Sequence, residues 1–350
     1  MKSIKLSILL LLCVASSMGQ QNDVVNKLVL AGIELHDKGD YAAAIKKYDE
    51  ALLIDKDDYN ANYEKSFSCL YDKRVDECIV ISKYLLKRHG DNADIKSVYS
   101  NYGSALDDAG KAEEAIIIFD QGIKKNPTYY LLHFNKGLTL ARQKKWDDAS
   151  ISFLLALQNK PNHPGSLYYM ALLQENSNKV AAVLSCMSFL AVETEGKRAE
   201  AVLKYLQGLM GSFAKKDTEG GSVITIDAGD LNNPKKENNF SMVQMMLAIT
   251  NSSGLADSVN AKSDVEKFSL QIQMMATALS TGKKEGSGIY WKTYAPFFIE
   301  MKEKEWMPVF AHLAFITSGN QENIKWINDN PDKLKAYYKW FDAYQWIKEK

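Results

Sequence analysis

Five histidines, His36, His89, His133, His163 and His312, are the first residues to test for chemistry, because paired imidazoles at helical spacing hold catalytic zinc. They are scattered, and none forms an HExxH pair, so each reads as a packing or surface residue. The segment Ser280-Thr281-Gly282-Lys283-Lys284 ends like a phosphate-binding loop but lacks its upstream glycine. No Gly-x-Ser-x-Gly nucleophile elbow occurs. Asp227 and Asp230 resemble a fragment of a calcium loop, but the further carboxylates that an EF-hand needs are missing, so they read as turn residues. The expectation is a chain without catalytic residues, metal or cofactor.

Cysteines give a second kind of chemistry. Cys69 and Cys78 flank a predicted turn, Tyr71 to Val75, and in an exported protein they could bridge two helices. They also stand where a small buried residue is wanted. A bridge requires Cα atoms within ~7 Å, whereas packed helices lie roughly 8–10 Å apart, which favours the packing role. Asn239-Phe240-Ser241 and Asn251-Ser252-Ser253 are glycosylation acceptors only if a eukaryote exports the chain.

The elements that would position such residues begin with the N-terminus. Lys2 and Lys5 precede the apolar run Leu6 to Ala15, and Ser17-Met18-Gly19 supplies small residues before polar Gln20. This is the layout of a secretory signal peptide over 1–19, too short for a membrane span. Leu12 stands before Cys13 where a lipobox wants a small residue, which argues against lipidation. Cleavage would remove two of 43 basic residues and no acid, leaving 41 against 43, a net charge near −2. A chain so nearly neutral, without a basic stripe, argues against nucleic acid and anionic membrane as main partners. With 46% hydrophobic and 25% charged residues the remainder can bury a core, and no later apolar run is long enough to span a membrane.

Two stretches repeat one spacing at an offset of 34 residues: Tyr99-x3-Gly103-x2-Leu106-x8-Ala115-x3-Phe119-x2-Gly122-x4-Pro127, then His133-x3-Gly137-x2-Leu140-x8-Ala149-x3-Phe153-x2-Ala156-x4-Pro161. Small residues at a helix crossing let two backbones approach, and the aromatic fills the next gap. Leu28, Gly32, Leu35, Gly39, Tyr41, Ala44, Tyr48 and Ala51 fit the same pattern, with Lys56 in place of the proline. A degenerate unit keeps Ser66, Cys69, Cys78 and Leu85 in register.

The period and pattern resemble the tetratricopeptide repeat family. The resemblance implies an all-α fold: a helical-hairpin solenoid, wound as a right-handed superhelix, that binds other polypeptides without catalysis. The units fall at about 25–58, 59–92, 96–129 and 130–163, with a weak fifth at 164–195. A helix over 197–214, offering Ala201, Leu203, Leu206 and Met210, would cap the open end, so the solenoid domain spans 20–214. In such repeats the first helix of each unit lines the concave face. The register then implies partner-binding residues Tyr63, Phe67, Ser100, Asn101, Ser104, Phe134, Asn135 and Leu138. Some family members clamp a carboxylate with lysine, arginine and asparagine. The matching places here hold Val29, Ile33, Glu64, Ser97 and Asn101, so that specificity is not expected. With the signal peptide, the resemblance implies an exported scaffold of the periplasm or exterior whose partner is an envelope or secreted protein.

The resemblance covers about 25–195, most clearly in units one, three and four, and adds nothing after Lys215. Gly, Pro, Asp and Asn over 215–239 predict a linker, in which Ser222 to Ile226 has the β-branched content of one strand. Residues 240–350 predict a further α-helical region, with helices at about 241–250, 263–280, 291–304, 306–317, 320–328 and 331–348. Ser241 to Gln244 and Ser263 to Glu266 fit capping boxes, and Asn330 with Pro331 fits a helix start. Met245-Met246 and Met274-Met275 lie in apolar stripes and read as core. Five of the six tryptophans follow residue 290. Leu334, Tyr337, Phe341 and Tyr344 share one predicted face and read as core, leaving Tyr338 and Trp346 free for an alternative ligand, a glycan or the cell wall.

Overall fold

A computed structural model describes residues 21–213, 215–216, 222–223, 236–252, 263–282 and 286–346. The expected signal peptide, Asp227, Asp230, Lys283, Lys284 and the Asn251 side chain lie outside the described residues. The fold is all-α, apart from an antiparallel ladder, single among the described residues, in which Lys215–Lys216 pairs with Ser222–Val223. By packing, the chain forms two compact units, Met1–Ala149 and Ser150–Lys350.

The first unit is a run of helical hairpins: α1 over 21–37, α2 Tyr41–Ile54, α3 Tyr59–Tyr71, α4 Val75–Arg88, α5 Ile95–Asp108, α6 Ala112–Lys125, α7 Tyr130–Arg142 and the start of α8 Trp146–Asn159. Each helix packs on the next along the chain from α2 to α7, and α3 also touches α5, as α5 touches α7. Asp40 and Asp58 begin α2 and α3 by accepting from the Ala43 and Ala61 amides at 3.1 and 2.7 Å. Each hairpin turns through one left-handed residue at the same repeat position: Gly39, Lys73, Gly110 and Lys144, with φ of 81°, 62°, 75° and 61°. The turn geometry therefore persists where the glycine does not.

Crossings follow the small-against-large rule. A Cβ on Gly103 would stand 2.6 Å from Phe119 Cζ, and one on Gly32 would stand 2.7 Å from Tyr48 Cζ. In the degenerate unit, serine occupies both the glycine and the aromatic places, Ser66 and Ser82, each fully buried. Cys69 and Cys78 are free, buried thiols, and Cys78 Sγ lies 3.9 Å from both Ser82 Oγ and the Asn101 carbonyl. The bridge is not made; both fill small buried places.

The second unit is built around α10, Lys179–Val192, whose residues from Val180 to Ala191 are all buried. That stretch carries no charge, and a helix apolar on every side must be enclosed. It packs against α9 Pro164–Gln174, α11 Lys197–Gly211, α12 Ser241–Ser252, a π-helix Tyr290–Tyr294 and α15 Met307–Ala314. The π-helix hydroxyls pin this packing: Tyr290 lies 2.8 Å from Ser185 Oγ, and Tyr294 donates to the Pro161 carbonyl at 2.8 Å. The remaining elements are α13 Asp264–Gly282, α14 Ala295–Glu303, α16 Gln321–Asp329 and α17 Pro331–Ala343.

Several expectations change here. Helix 291–304 is divided between the π-helix and α14, and the last helix stops at Ala343. In α11 it is Val202 that is buried, with Leu203, Leu206 and Met210, while Ala201 is exposed. The Ser263–Glu266 capping box forms reciprocally, at 3.0 and 3.3 Å. Ser241 instead turns its amide and hydroxyl to Asn239 Oδ1. Asn330 stands at the N-cap of α17 with Pro331 in the first turn, as expected, but its side chain makes no cap bond; its amide donates back to the Trp326 carbonyl at 2.8 Å. Met275 is fully buried and Met245, Met246 and Met274 half-buried.

Most of the C-terminal aromatics are packing groups. Trp346, expected to be free, packs 4.4 Å from Phe297 and 5.3 Å from Tyr344. Trp340 stacks on Phe297 and donates to Glu300 Oε1, and Trp326 stacks on His312 at 3.6 Å. Tyr337 is buried as expected, and Tyr338 keeps an exposed ring. No helix of the described residues is long and apolar enough to cross a membrane.

Candidate partner-binding groove

The first helices of the hairpins put one row of repeat positions on a shared face. Tyr63, Ser100 and Phe134 occupy equivalent places, as do Phe67, Ser104 and Leu138. Unit three thus has small hydroxyls where its neighbours carry large side chains. A concavity of about 580 Å³ opens at that gap, wholly within the first compact unit. Tyr63, Phe67, Ser100, Asn101, Ser104 and Asn135 line it together. Phe134 and Leu138 are half-buried and stand outside the lining.

One wall is aromatic. Tyr63 and Phe67, four residues apart on α3, lie parallel with centroids 6.4 Å apart, and Tyr59, outside the lining, continues the row at 6.1 Å. Phe67 continues into a packed cluster, stacking on His36 at 4.9 Å and meeting Tyr71 edge-on at 5.0 Å. His36 is tied to Ser68 Oγ at 2.8 Å, and burial lowers its pKa. Tyr41, Leu70, Tyr71, Tyr129 and Leu131 complete the apolar part of the lining.

The floor is polar and neutral. Asn135 directs its amide to Ser100 Oγ at 2.8 Å and to Ser104 Oγ at 3.3 Å. Asn101 reaches Ser66 Oγ at 3.5 Å, and Ser97 Oγ lies 3.2 Å from the Tyr129 hydroxyl. Burial pushes the Tyr63 phenol up to about 12, against hydrogen bonds to Ser97 and Asn101 that lower it. At the rim Lys73 pairs with Asp108 at 3.3 Å. The lining therefore holds no activated nucleophile and no acid–base pair. Among the described residues no three His, Cys, Asp or Glu side chains converge as a metal site.

Sequence reasoning missed Tyr41, Leu70, Tyr71, Lys73, Ser97, Asp108, Tyr129 and Leu131. A signal existed for some of them. Leu70 and Tyr71 lie three and four residues beyond Phe67, and Ser97 and Leu131 lie four before Asn101 and Asn135, so each shares a face with a named residue. Tyr41 and Tyr129 come from outside the first helices, where the register says nothing. Of the carboxylate-clamp places, Ser97 and Asn101 reach the groove, while Val29 is buried.

Residues 101–164 match the family model for the tetratricopeptide repeat. No curated protein matches the chain. Among solved structures it is similar to a thermophilic tetratricopeptide repeat protein of Thermus thermophilus, at 20% identity and a TM-score of 0.45, covering 53% of this chain and 98% of that one. It is also similar to PilW, a type IV pilus biogenesis factor, at 20% identity and a TM-score of 0.46, over 54% of this chain and 86% of that one. A third is YrrB, a repeat protein with an unusual peptide-binding site, at 15% identity and a TM-score of 0.38, over 54% and 97%. The chain carries tetratricopeptide repeats, a module generally found in non-enzymatic protein-interaction scaffolds.

Proposed function

We propose that this protein is an exported, non-catalytic scaffold that holds a segment of a partner polypeptide in the groove between Tyr63 and Asn135. The observation that carries the reading is the groove itself: an aromatic wall and a hydroxyl–amide floor without a reacting group. Such a surface can grip apolar side chains and orient a backbone, and has nothing with which to transform them. Lys2, Lys5 and the apolar run to Ala15 support export, so the partner is an envelope or secreted protein.

The test is a photoreactive residue at Tyr71, a half-exposed position on the rim, introduced in the native host. One dominant protein adduct is expected, absent when the same group replaces Val80, which is exposed on α4 and outside the lining. Equal capture at both positions would dismiss the groove. The mass of the mature N-terminus, expected to begin at Gln20, tests export separately.

A further inference from the structure

Resting on that reading of the groove, we infer that the partner anchors itself there by one tyrosine side chain, set into the gap that α5 leaves in the row of large side chains. The gap is the first argument. Places that carry Tyr63 and Phe67 in unit two, and Phe134 and Leu138 in unit four, carry Ser100 and Ser104 in unit three. The chain thus lacks two large groups where its neighbours have them, and the concavity of about 580 Å³ opens at that spot. Helix α5 touches both α3 and α7, so Tyr63 and Phe67 stand on one side of the gap and Leu131 on the other. A ligand backbone passing over these walls would lie a side chain's length above the serines. What meets the floor is therefore a side chain, and a flat ring gives the aromatic wall the most contact.

The second argument is what the floor still offers. Asn135 donates its amide hydrogens to Ser100 Oγ and Ser104 Oγ, at 2.8 and 3.3 Å. Among the described residues nothing accepts the hydroxyl hydrogen of either serine, whereas Ser66 and Ser185 return theirs to the Tyr63 and Ala181 carbonyls. Nothing among them donates to Asn135 Oδ1 either. Donors and an acceptor therefore stand side by side, and a phenol hydroxyl both accepts and donates.

Other side chains meet only part of this. Phenylalanine or leucine would cover the hydroxyls with carbon, taking them from water without replacement. An indole donates to the asparagine oxygen but accepts nothing from the serines. A charged side chain would enter a lining whose ionised groups, Lys73 and Asp108, are already paired with each other at 3.3 Å. Glutamine would suit the floor and waste the rings. Tyrosine serves the floor and the wall together.

The test uses the purified chain and the N-acetyl amides of tyrosine, phenylalanine, tryptophan, leucine and glutamine. Saturation-transfer NMR titrations read the millimolar affinities that a single side chain supports. The tyrosine amide should bind about fivefold or more tighter than the phenylalanine amide, and tighter than the other three. Ser104→Trp, which fills the gap, should abolish its binding. Ser100→Ala with Ser104→Ala keeps the gap and the rings but removes the hydroxyls, and should bring the tyrosine and phenylalanine amides within about twofold of each other. Far-UV circular dichroism checks that both variants fold. If the phenylalanine or leucine amide binds the parent as tightly as the tyrosine amide, and Ser104→Trp abolishes both, the tyrosine inference fails and the groove reading stands. If the tyrosine amide binds Ser104→Trp as it binds the parent, it binds elsewhere and the inference fails. A tyrosine preference that survives the double alanine change would also overturn it, because the floor would not be its source. If no amide binds, the inference fails and the Tyr71 crosslink alone decides the groove reading.

Discussion

Gly103→Ala tests the packing logic on which the groove depends. The added Cβ would lie 2.6 Å from Phe119 Cζ and 2.7 Å from Cδ1, where carbon contacts prefer ~3.5–4.0 Å. Phe119 is fully buried, so the ring must retreat by about 1 Å into neighbours that are already close-packed. Overpacking of this kind costs about 1–3 kcal/mol, and alanine's better helix propensity returns up to ~1 kcal/mol, so the net loss should be about 1–2 kcal/mol. Gly208 in α11 is the control. Its Cβ would meet nothing within 4 Å, and Gly208→Ala should stabilise by about 0.5–1 kcal/mol. Amide hydrogen exchange over α5–α6 and over α11 reads the two sites separately, with urea unfolding as the global measure. Phe119→Leu is destabilising alone but should make room for the methyl, giving a coupling of at least ~1 kcal/mol in the double mutant. A Gly103→Ala protein as stable as the parent, or strict additivity with Phe119→Leu, would refute this account of why the small residue is there.

Cys69 and Cys78 are buried, which pushes their thiols up to about 12 and about 11, so both should resist alkylation in the folded protein. Both should react fully in denaturant without reductant, as mass spectrometry of the peptides will show. His163 caps α9 by accepting the Ser166 amide, and burial first, then Lys160 and Arg198, lowers its pKa to about 4. Only the unfolded chain takes up that proton between pH ~6.5 and ~4, so the stabilisation is complete above this window. It is lost as pH falls through it, by about 3 kcal/mol, and His163→Asn should flatten the profile of unfolding free energy against pH. Tyr294→Phe strips the Pro161 carbonyl of its donor and should cost about 1–3 kcal/mol in urea unfolding. Tyr290→Phe should cost less, because Ser185 still donates to the Ala181 carbonyl. Lys144→Gly relieves a left-handed lysine and should raise the unfolding free energy by about 0.5–1 kcal/mol.

The hairpins were legible because their constraints are local and recur: a small residue where helices cross, an aromatic in the partner helix, as Tyr48 is to Gly32 and Phe119 to Gly103, and a turn between. The C-terminal region was legible as helices but not as packing. Nothing periodic tells that Trp346 folds back on Phe297, or that the Asn330 side chain bonds the helix before it rather than the one after. The π-helix escaped as well. Its five residues differ from an α-helix only in hydrogen-bond register, and two of them, Tyr290 and Tyr294, spend their hydroxyls on Ser185 and the Pro161 carbonyl, contacts that no periodicity announces.

The groove shows how a partial reading arises. A repeat register assigns side chains to a face, and six of the eight residues it names line one concavity. A register assigns every repeat alike, however, whereas a cavity is made where one repeat departs from its neighbours. Here the departure is Ser100 and Ser104, standing where Tyr63 and Phe67, and then Phe134 and Leu138, set the pattern. The same register that collects Phe134 with Tyr63 cannot tell that the opening lies against one and not the other. The residues that decide binding in such a chain are therefore to be sought at breaks in the repeat. Placing rings at both serines, Ser100→Tyr with Ser104→Phe, should restore the regular pattern, close the groove and abolish peptide binding while the hairpins remain folded. Retention of binding in that variant, with its far-UV circular dichroism unchanged, would mean that the gap between the repeats is not the site.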